Sequence, residues 1–267
     1  MGRIAILGGG VMGETLLTTV LSAGYRPDAI VVAEKDAERS EALAARYGVE
    51  IAGAPAAVHG ADLVLIVVKP QDVPDLLASI GEDVAPQAVV VSFAAGVQLA
   101  TLEAGVPDGT AVLRVMPNTP AVVGEGMFGA SPGSACTESQ VDLVAGILVS
   151  NGGRFLVVDE ALQDALTAVS GSGPAYVFYL AEAMIAGGVE AGLDETTARA
   201  LTTQTIFGAA KLLFESTEDA AELRRRVTSP NGTTAAAIAA FDDRDVKAAI
   251  ADGVVAAAKR SAELSGT

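Results

Sequence analysis

The strongest constraint on this chain is the run Gly8-Gly9-Gly10-Val11-Met12-Gly13, which reads G-x-G-x-x-G. It lies between a short apolar stretch at 3–7 and a segment with helical spacing at 12–23. A strand that ends in such a loop and passes into a helix opens a dinucleotide-binding βαβ unit. Gly8 allows the tight turn, Gly10 lets backbone approach a pyrophosphate, and Gly13 lets the helix pack closely on the strand. The helix start, with the Val11 and Met12 amides, offers free N–H groups and a positive dipole end to phosphate. The choice of dinucleotide turns on the end of the second strand-like run, 30–33. Glu34 follows it, about twenty residues past Gly13, where an acid accepts a hydrogen bond from a ribose 2′-hydroxyl and repels a 2′-phosphate. Lys35 and Arg39 stand close enough in sequence to pair with such a phosphate. NADH and NADPH both remain open at this point.

Composition limits the alternatives. The 267 residues carry a net charge of −16, and a chain this acidic has no bulk field for nucleic acid or anionic lipid. Aromatic residues make up 4% and Trp is absent, so base-stacking platforms are not expected either. Cys136 is the one cysteine, which excludes an intramolecular disulfide and fits a reducing compartment. With His59 the one histidine, a His/Cys zinc site is not expected, no metal is assigned, and His59 reads as a structural loop residue. The start of the chain lacks a secretory pattern, and a cytoplasmic location is expected. The most membrane-like window, 174–193, is interrupted by Glu182 and Glu190, and a buried helix is the expectation there.

Strand-like runs at 63–68, 89–92, 112–115 and 155–158 alternate with helix-like segments at 37–47 and 74–80. After 158 the rhythm changes to Ala-rich helical stretches at 160–169, 174–191, 195–215, 218–227, 234–241 and 244–264, with Asp194 and Thr217 as candidate N-caps. The expected fold is α/β. Residues 1–158 form a Rossmann-type doubly wound sheet, and 159–267 form an all-helical C-terminal domain.

Several knots interrupt these elements. Val68-Lys69-Pro70-Gln71, Ser92-Phe93-Ala94-Ala95-Gly96 and Met116-Pro117-Asn118-Thr119-Pro120 each follow a strand-like run, at the sheet edge where ligands sit. Each could equally be plain turn chemistry. Ser170-Gly171-Ser172-Gly173-Pro174 breaks a helix-prone stretch, either to admit a neighbouring backbone or ligand or as an interhelical turn. Finally, Val227-Thr228-Ser229-Pro230-Asn231-Gly232-Thr233-Thr234 leads into a helix. The amides of Gly232, Thr233 and Thr234, with the hydroxyls of Ser229, Thr233 and Thr234, would suit a small carboxylate. The bland alternative is an elaborate N-cap.

As an ordered set, GGGVMG, VVKP, SFAAGV, MPNTP, AVSGSGPAY and VTSPNGTT closely resemble the pyrroline-5-carboxylate reductases, across essentially the whole chain. The resemblance implies reduction of L-1-pyrroline-5-carboxylate to L-proline by NADPH or NADH, the last step of proline biosynthesis. It implies that Gly8 to Gly13 hold the pyrophosphate and that Lys69, Pro70, Ala94 and Ala95 line the nicotinamide. Val68 and Asn118 belong to the same expected cofactor set. Ser229, Gly232 and Thr233 would receive the substrate carboxylate, Thr234 would offer its hydroxyl to the ring nitrogen, and Glu160 matches a family acid near that nitrogen. The helical half would be an intertwined dimerisation domain, so that each active site draws on two chains, and rings of dimers also occur in the family. The chain departs from the family at Asn231, where a second glycine is usual after Ser-Pro, and at Glu34-Lys35, where many relatives carry small hydroxyl or basic residues.

Two other readings make different demands. A β-hydroxyacid dehydrogenase resembling the G-x-G-x-x-x-K pattern needs a lysine where this chain has Val177, and without it alcohol oxidation lacks its base. A non-catalytic dinucleotide sensor needs the glycine loop but has no use for TSPNGTT.

Overall fold

The computed structural model describes residues 2–266. Along the chain run β1 (Ile4–Leu7), α1 (Val11–Ser22), β2 (Ile30–Ala33), α2 (Ala37–Tyr47), β3 (Glu50–Ile51), α3 (Ala54–Val58) and β4 (Leu63–Ile66). They are followed by α4 (Val73–Ile80), β5 (Val89–Ser92), α5 (Leu99–Ala104), β6 (Ala111–Met116), β7 (Met127–Pro132), α6 (Glu138–Leu148) and β8 (Arg154–Val157). The rest is helical: α7 (Gln163–Leu166), α8 (Gly173–Glu190), α9 (Glu195–Glu215), α10 (Ala220–Arg226), α11 (Thr233–Asp242) and α12 (Val246–Ser265).

The strands pair in the order β3-β2-β1-β4-β5-β6-β7-β8, all parallel except β6 with β7. Their uninterrupted apolar runs suit burial on both faces. Alternate residues serve opposite faces: Ile4, Ile6 and Leu65 pack with Leu16, Leu17 and Ile147 from α1 and α6, whereas Leu7, Val64 and Ile66 pack with Val73, Leu77 and Leu102 from α4 and α5. Because β1 has β2 on one side and β4 on the other, the winding reverses there. The glycine loop leaves the carboxyl end of β1, at this switch point.

Several expectations need correction. β7 carries no signal in MFGASP, a short run with Gly and Pro, and it survives because both β6 and β8 pair with it. The run at 63–68 leaves the sheet after Ile66, so Val68 and Lys69 belong to the loop beyond β4. The cap of α10 is Asp219, which accepts from the Glu222 amide at 2.8 Å, and not Thr217. Asp194 does cap α9, accepting from the Thr197 amide at 3.0 Å.

The stretch 170–174 is not a loop. A π-helical turn, Thr167–Gly171, ends at Ser172, and α8 begins at Gly173. A Cβ on Gly171 would come within 2.7 Å of the Met116 side chain, so this glycine does admit a neighbour.

By packing, the described residues form two units: 2–172 with 257–266, and Gly173–Ala256. The division by packing falls at Gly173. The end of α12 rejoins the sheet unit, where Gln98 donates to the Ser265 carbonyl at 3.1 Å and Ser261 donates to Asp164 at 2.6 Å.

In the helical unit α8 and α9 pack on each other across a turn at Gly192. The expectation of a buried helix at 174–193 does not hold within one chain, because α8 buries no residue. Among the described residues no helix is long and apolar enough to cross a membrane.

Candidate functional site

The glycine loop is shaped by close backbone approach. Gly8 adopts φ +110°, donates its amide to the Ala33 carbonyl at 2.8 Å, and would place a Cβ 2.9 Å from the Val67 carbonyl. A Cβ on Gly13 would overlap the Gly8 carbonyl. Gly10 differs: it is the N-cap of α1, has no side-chain cap, and a Cβ there would meet nothing within 4 Å. The amides of Gly10, Val11 and Met12 take no partner among the described residues. The Met12 side chain packs against the core, so only its amide is available to a ligand.

Gly8 and Gly10 line a cleft of about 490 Å³ together with Glu34, Lys35, Val68 and Lys69. This part of the predicted cofactor set is thus brought together. The empty space beyond Gly10, the free helix-start amides and the flanking Lys69 fit a dinucleotide pyrophosphate. The Glu34 carboxylate accepts the Gly9 amide at 2.6 Å and the Asp36 amide at 2.9 Å. Arg39 gives its Nε to the Gly9 carbonyl at 2.8 Å and pairs with Glu14. Glu14 also accepts from Tyr47 at 2.7 Å and Arg46 at 2.9 Å. The Tyr47 hydrogen bond, helped by Arg39 and Arg46, holds the Glu14 carboxyl below the usual range against the opposing effect of burial. This Glu14 network, tying the loop to α2, was not anticipated, because Arg39 and Arg46 lie 25 and 32 residues beyond Glu14 and meet it only in the fold.

Other predicted residues have different places. Pro70 opens a 3-10 turn and lines a neighbouring hollow of about 390 Å³ with Gly96 and Gln98. Ala94 is 4% exposed and belongs to the core, while Ala95 is exposed. Asn118 uses both ends of its amide, donating to Ser170 at 3.3 Å and accepting from the Met127 amide at 2.9 Å. Asn118, expected in the cofactor set, thus fastens the loop after β6 to Ser170 and to the start of β7. His59 lies at the C-cap of α3, outside the cleft lining.

Glu160, expected near the substrate nitrogen, has two partners on one carboxylate oxygen. One oxygen, Oε1, accepts both from the Leu99 amide at 2.7 Å and from Arg114 at 3.0 Å. Arg114 is buried, at 5% exposure, so the carboxylate is its counter-ion. It also caps α5 from a distance, where the N-cap Gln98 supplies no side-chain bond.

In the helical unit the polar loop closes on itself before α11. The Gly232 amide donates to the Ser229 carbonyl at 3.0 Å, so this amide is not free as expected. The open donors are instead the amides of Thr233, Thr234 and Ala235, which have no partner among the described residues. Asn231 adopts φ 59°, in the left-handed region where Asn substitutes best for Gly. Ser229 and Thr233 are exposed and Thr234 is half-buried. A helix start with three open amides and adjacent hydroxyls has the chemistry of a carboxylate receptor.

The sheet order and the glycine cleft define a dinucleotide-binding protein of the Rossmann type. Residues 160–264 match the family described as pyrroline-5-carboxylate reductase dimerisation, and residues 3–96 match NADP oxidoreductase coenzyme F420-dependent. The chain is 39% identical to pyrroline-5-carboxylate reductase of Mycobacterium tuberculosis, over 99% of this chain and 97% of that one. The structure of a pyrroline-5-carboxylate reductase from Coxiella burnetii superposes with a TM-score of 0.92 at 30% identity, covering 100% of this chain and 99% of that one. Plasmodium falciparum pyrroline carboxylate reductase with NADP bound gives a TM-score of 0.87 at 25% identity, covering 99% and 98%. The chain belongs to the pyrroline-5-carboxylate reductase family.

Proposed function

We infer that this chain reduces L-1-pyrroline-5-carboxylate to L-proline with NADPH or NADH, the last step of proline biosynthesis, and that it does so with the residues described above. The observation that carries the residue assignment is the open start of α11, held by the left-handed Asn231. The amides of Thr233, Thr234 and Ala235 and the Ser229 hydroxyl receive the substrate carboxylate. The amides of Gly10, Val11 and Met12 hold the pyrophosphate, and Gly8 and Gly13 give the loop its shape. Lys69 and Ala95 flank the nicotinamide side.

NAD(P)H supplies the hydride when bound. A cyclic imine protonated at nitrogen is electrophilic at carbon, so the protein's task is to orient the ring and keep that proton in place. The Thr234 hydroxyl hydrogen-bonds the ring nitrogen as the amine forms. Glu160 acts through Arg114 and the start of α5, as a positioning residue. Residues 159–267 serve dimerisation and substrate binding, and the working unit is a homodimer, with rings of dimers as a higher assembly. The lone Cys136 supports a reducing, cytoplasmic setting.

Substitution Thr234→Ala should lower kcat/KM by roughly 10²- to 10⁴-fold, the range for a positioned proton donor. Dinucleotide affinity should be unchanged. Unaltered turnover would remove Thr234 from the mechanism.

A further inference from the structure

We propose that Glu34 makes this chain select NADH over NADPH, a preference that rests on reading the glycine cleft as the dinucleotide site. Glu34 lines that cleft beside Gly8 and Gly10. Its carboxylate is not a loose surface charge, because the Gly9 amide holds Oε2 at 2.6 Å and the Asp36 amide holds Oε1 at 2.9 Å. Both bonds come from backbone, so the anion is fixed before any ligand arrives. A carboxylate so placed has lone pairs left to accept from a ribose 2′-hydroxyl, and it has nothing to donate to a 2′-phosphate.

The cations that could offset it are spent or mobile. Arg39 is turned onto the Gly9 carbonyl at 2.8 Å and is bonded to Glu14, which it shares with Arg46, so its guanidinium is already engaged. Lys35 also lines the cleft, but it is exposed and sits in sequence between Glu34 and Asp36. Asp36 in turn spends Oδ1 on the Arg39 amide at 2.9 Å, which keeps a second carboxylate at the head of α2. A single flexible lysine must be ordered before it can bind phosphate, whereas the opposing carboxylate is already in place. A dianionic 2′-phosphate beside Glu34 therefore meets a fixed negative charge, with the exposed Lys35 the cation next to it in sequence.

The test is calorimetric titration of the purified full-length protein with NADH and NADPH at one ionic strength, without substrate. NADH should bind at least about tenfold more tightly, a gap equal to about 1.4 kcal/mol. Glu34→Gln removes the charge but keeps the side-chain length, and should close most of that gap by tightening NADPH. A thermal melt and retained NADH binding show that the variant is folded, and the two wild-type titrations decide the matter if it is not. Lys35→Gln should leave NADPH affinity within about twofold. Equal or tighter wild-type binding of NADPH overturns the preference and leaves the cleft intact. A selective loss of NADPH binding in Lys35→Gln also overturns it, by revealing a phosphate site. Failure of both dinucleotides to bind would overturn the reading of the cleft itself, and the preference with it.

Discussion

At the scale of single residues, three glycines of one loop do three different things. Gly8 and Gly13 are required by neighbouring backbone, while Gly10 faces open space that a ligand would use. Two alanine variants separate these roles. Gly13→Ala should destabilise the protein by about 1–3 kcal/mol or more, because the clash is with a carbonyl that cannot move alone. Gly10→Ala should melt within about 0.5 kcal/mol of the parent and yet lose dinucleotide affinity. Equal melting of the two variants in thermal unfolding would refute the distinction. The spacing of these glycines was legible from the loop pattern, whereas the Val67 carbonyl that crowds Gly8 comes from a distant part of the chain. Asn231 was legible too, since a left-handed position tolerates few residues other than Gly and Asn. The Asn118 and Glu160 partners were not, because they come from residues far along the chain that only the fold brings near.

At the scale of elements, two links hold the site's supports together. Glu14 on α1 gathers Arg39, Arg46 and Tyr47 from α2. Its folded-state pKa is lowered, so it contributes stability above its unfolded value of about 4.5, and that contribution is lost as pH falls through the folded value. Urea midpoints should therefore show Glu14→Gln weaker than the parent near neutrality, with the difference shrinking below about pH 4.5. A constant difference across that range would contradict the assignment.

The second link is Glu160, which caps α5 and neutralises the buried Arg114. Glu160→Ala should cost about 1–3 kcal/mol, less than a fully buried pair because this carboxylate is 33% exposed. As a positioning residue, Glu160 should leave the shape of the pH–rate profile unchanged in Glu160→Gln while kcat falls. Disappearance of one limb of that profile would restore a proton-transfer role. The parallel strands and long helices could be read from apolar runs and spacing. β3 and β7 could not, since two residues or a Gly- and Pro-containing run form strands only when neighbours supply the pairing.

At the scale of the whole molecule, the apolar surplus and the charge of −16 have separate explanations. Among α8 to α12 only Ala198 and Thr202 are buried within one chain. Phe178, Phe207 and Phe214 are each more than 60% exposed. A helical unit with so little core of its own needs a second copy to cover these faces, in keeping with the dimerisation family that it matches. Phe207→Glu should therefore yield monomers by light scattering and lower the melting temperature, whereas a solvated position would change stability by less than about 0.5 kcal/mol. The negative charge does not select anionic ligands, for which the open starts of α1 and α11 offer unpaired amides instead.

The central claim is most directly tested by mixing the purified protein with L-1-pyrroline-5-carboxylate and each reduced dinucleotide. The loss of nicotinamide absorbance and the appearance of proline are then measured together. Substrate-dependent oxidation with stoichiometric L-proline is the predicted result. A folded, dinucleotide-binding protein that oxidises neither cofactor in the presence of this substrate would contradict the account.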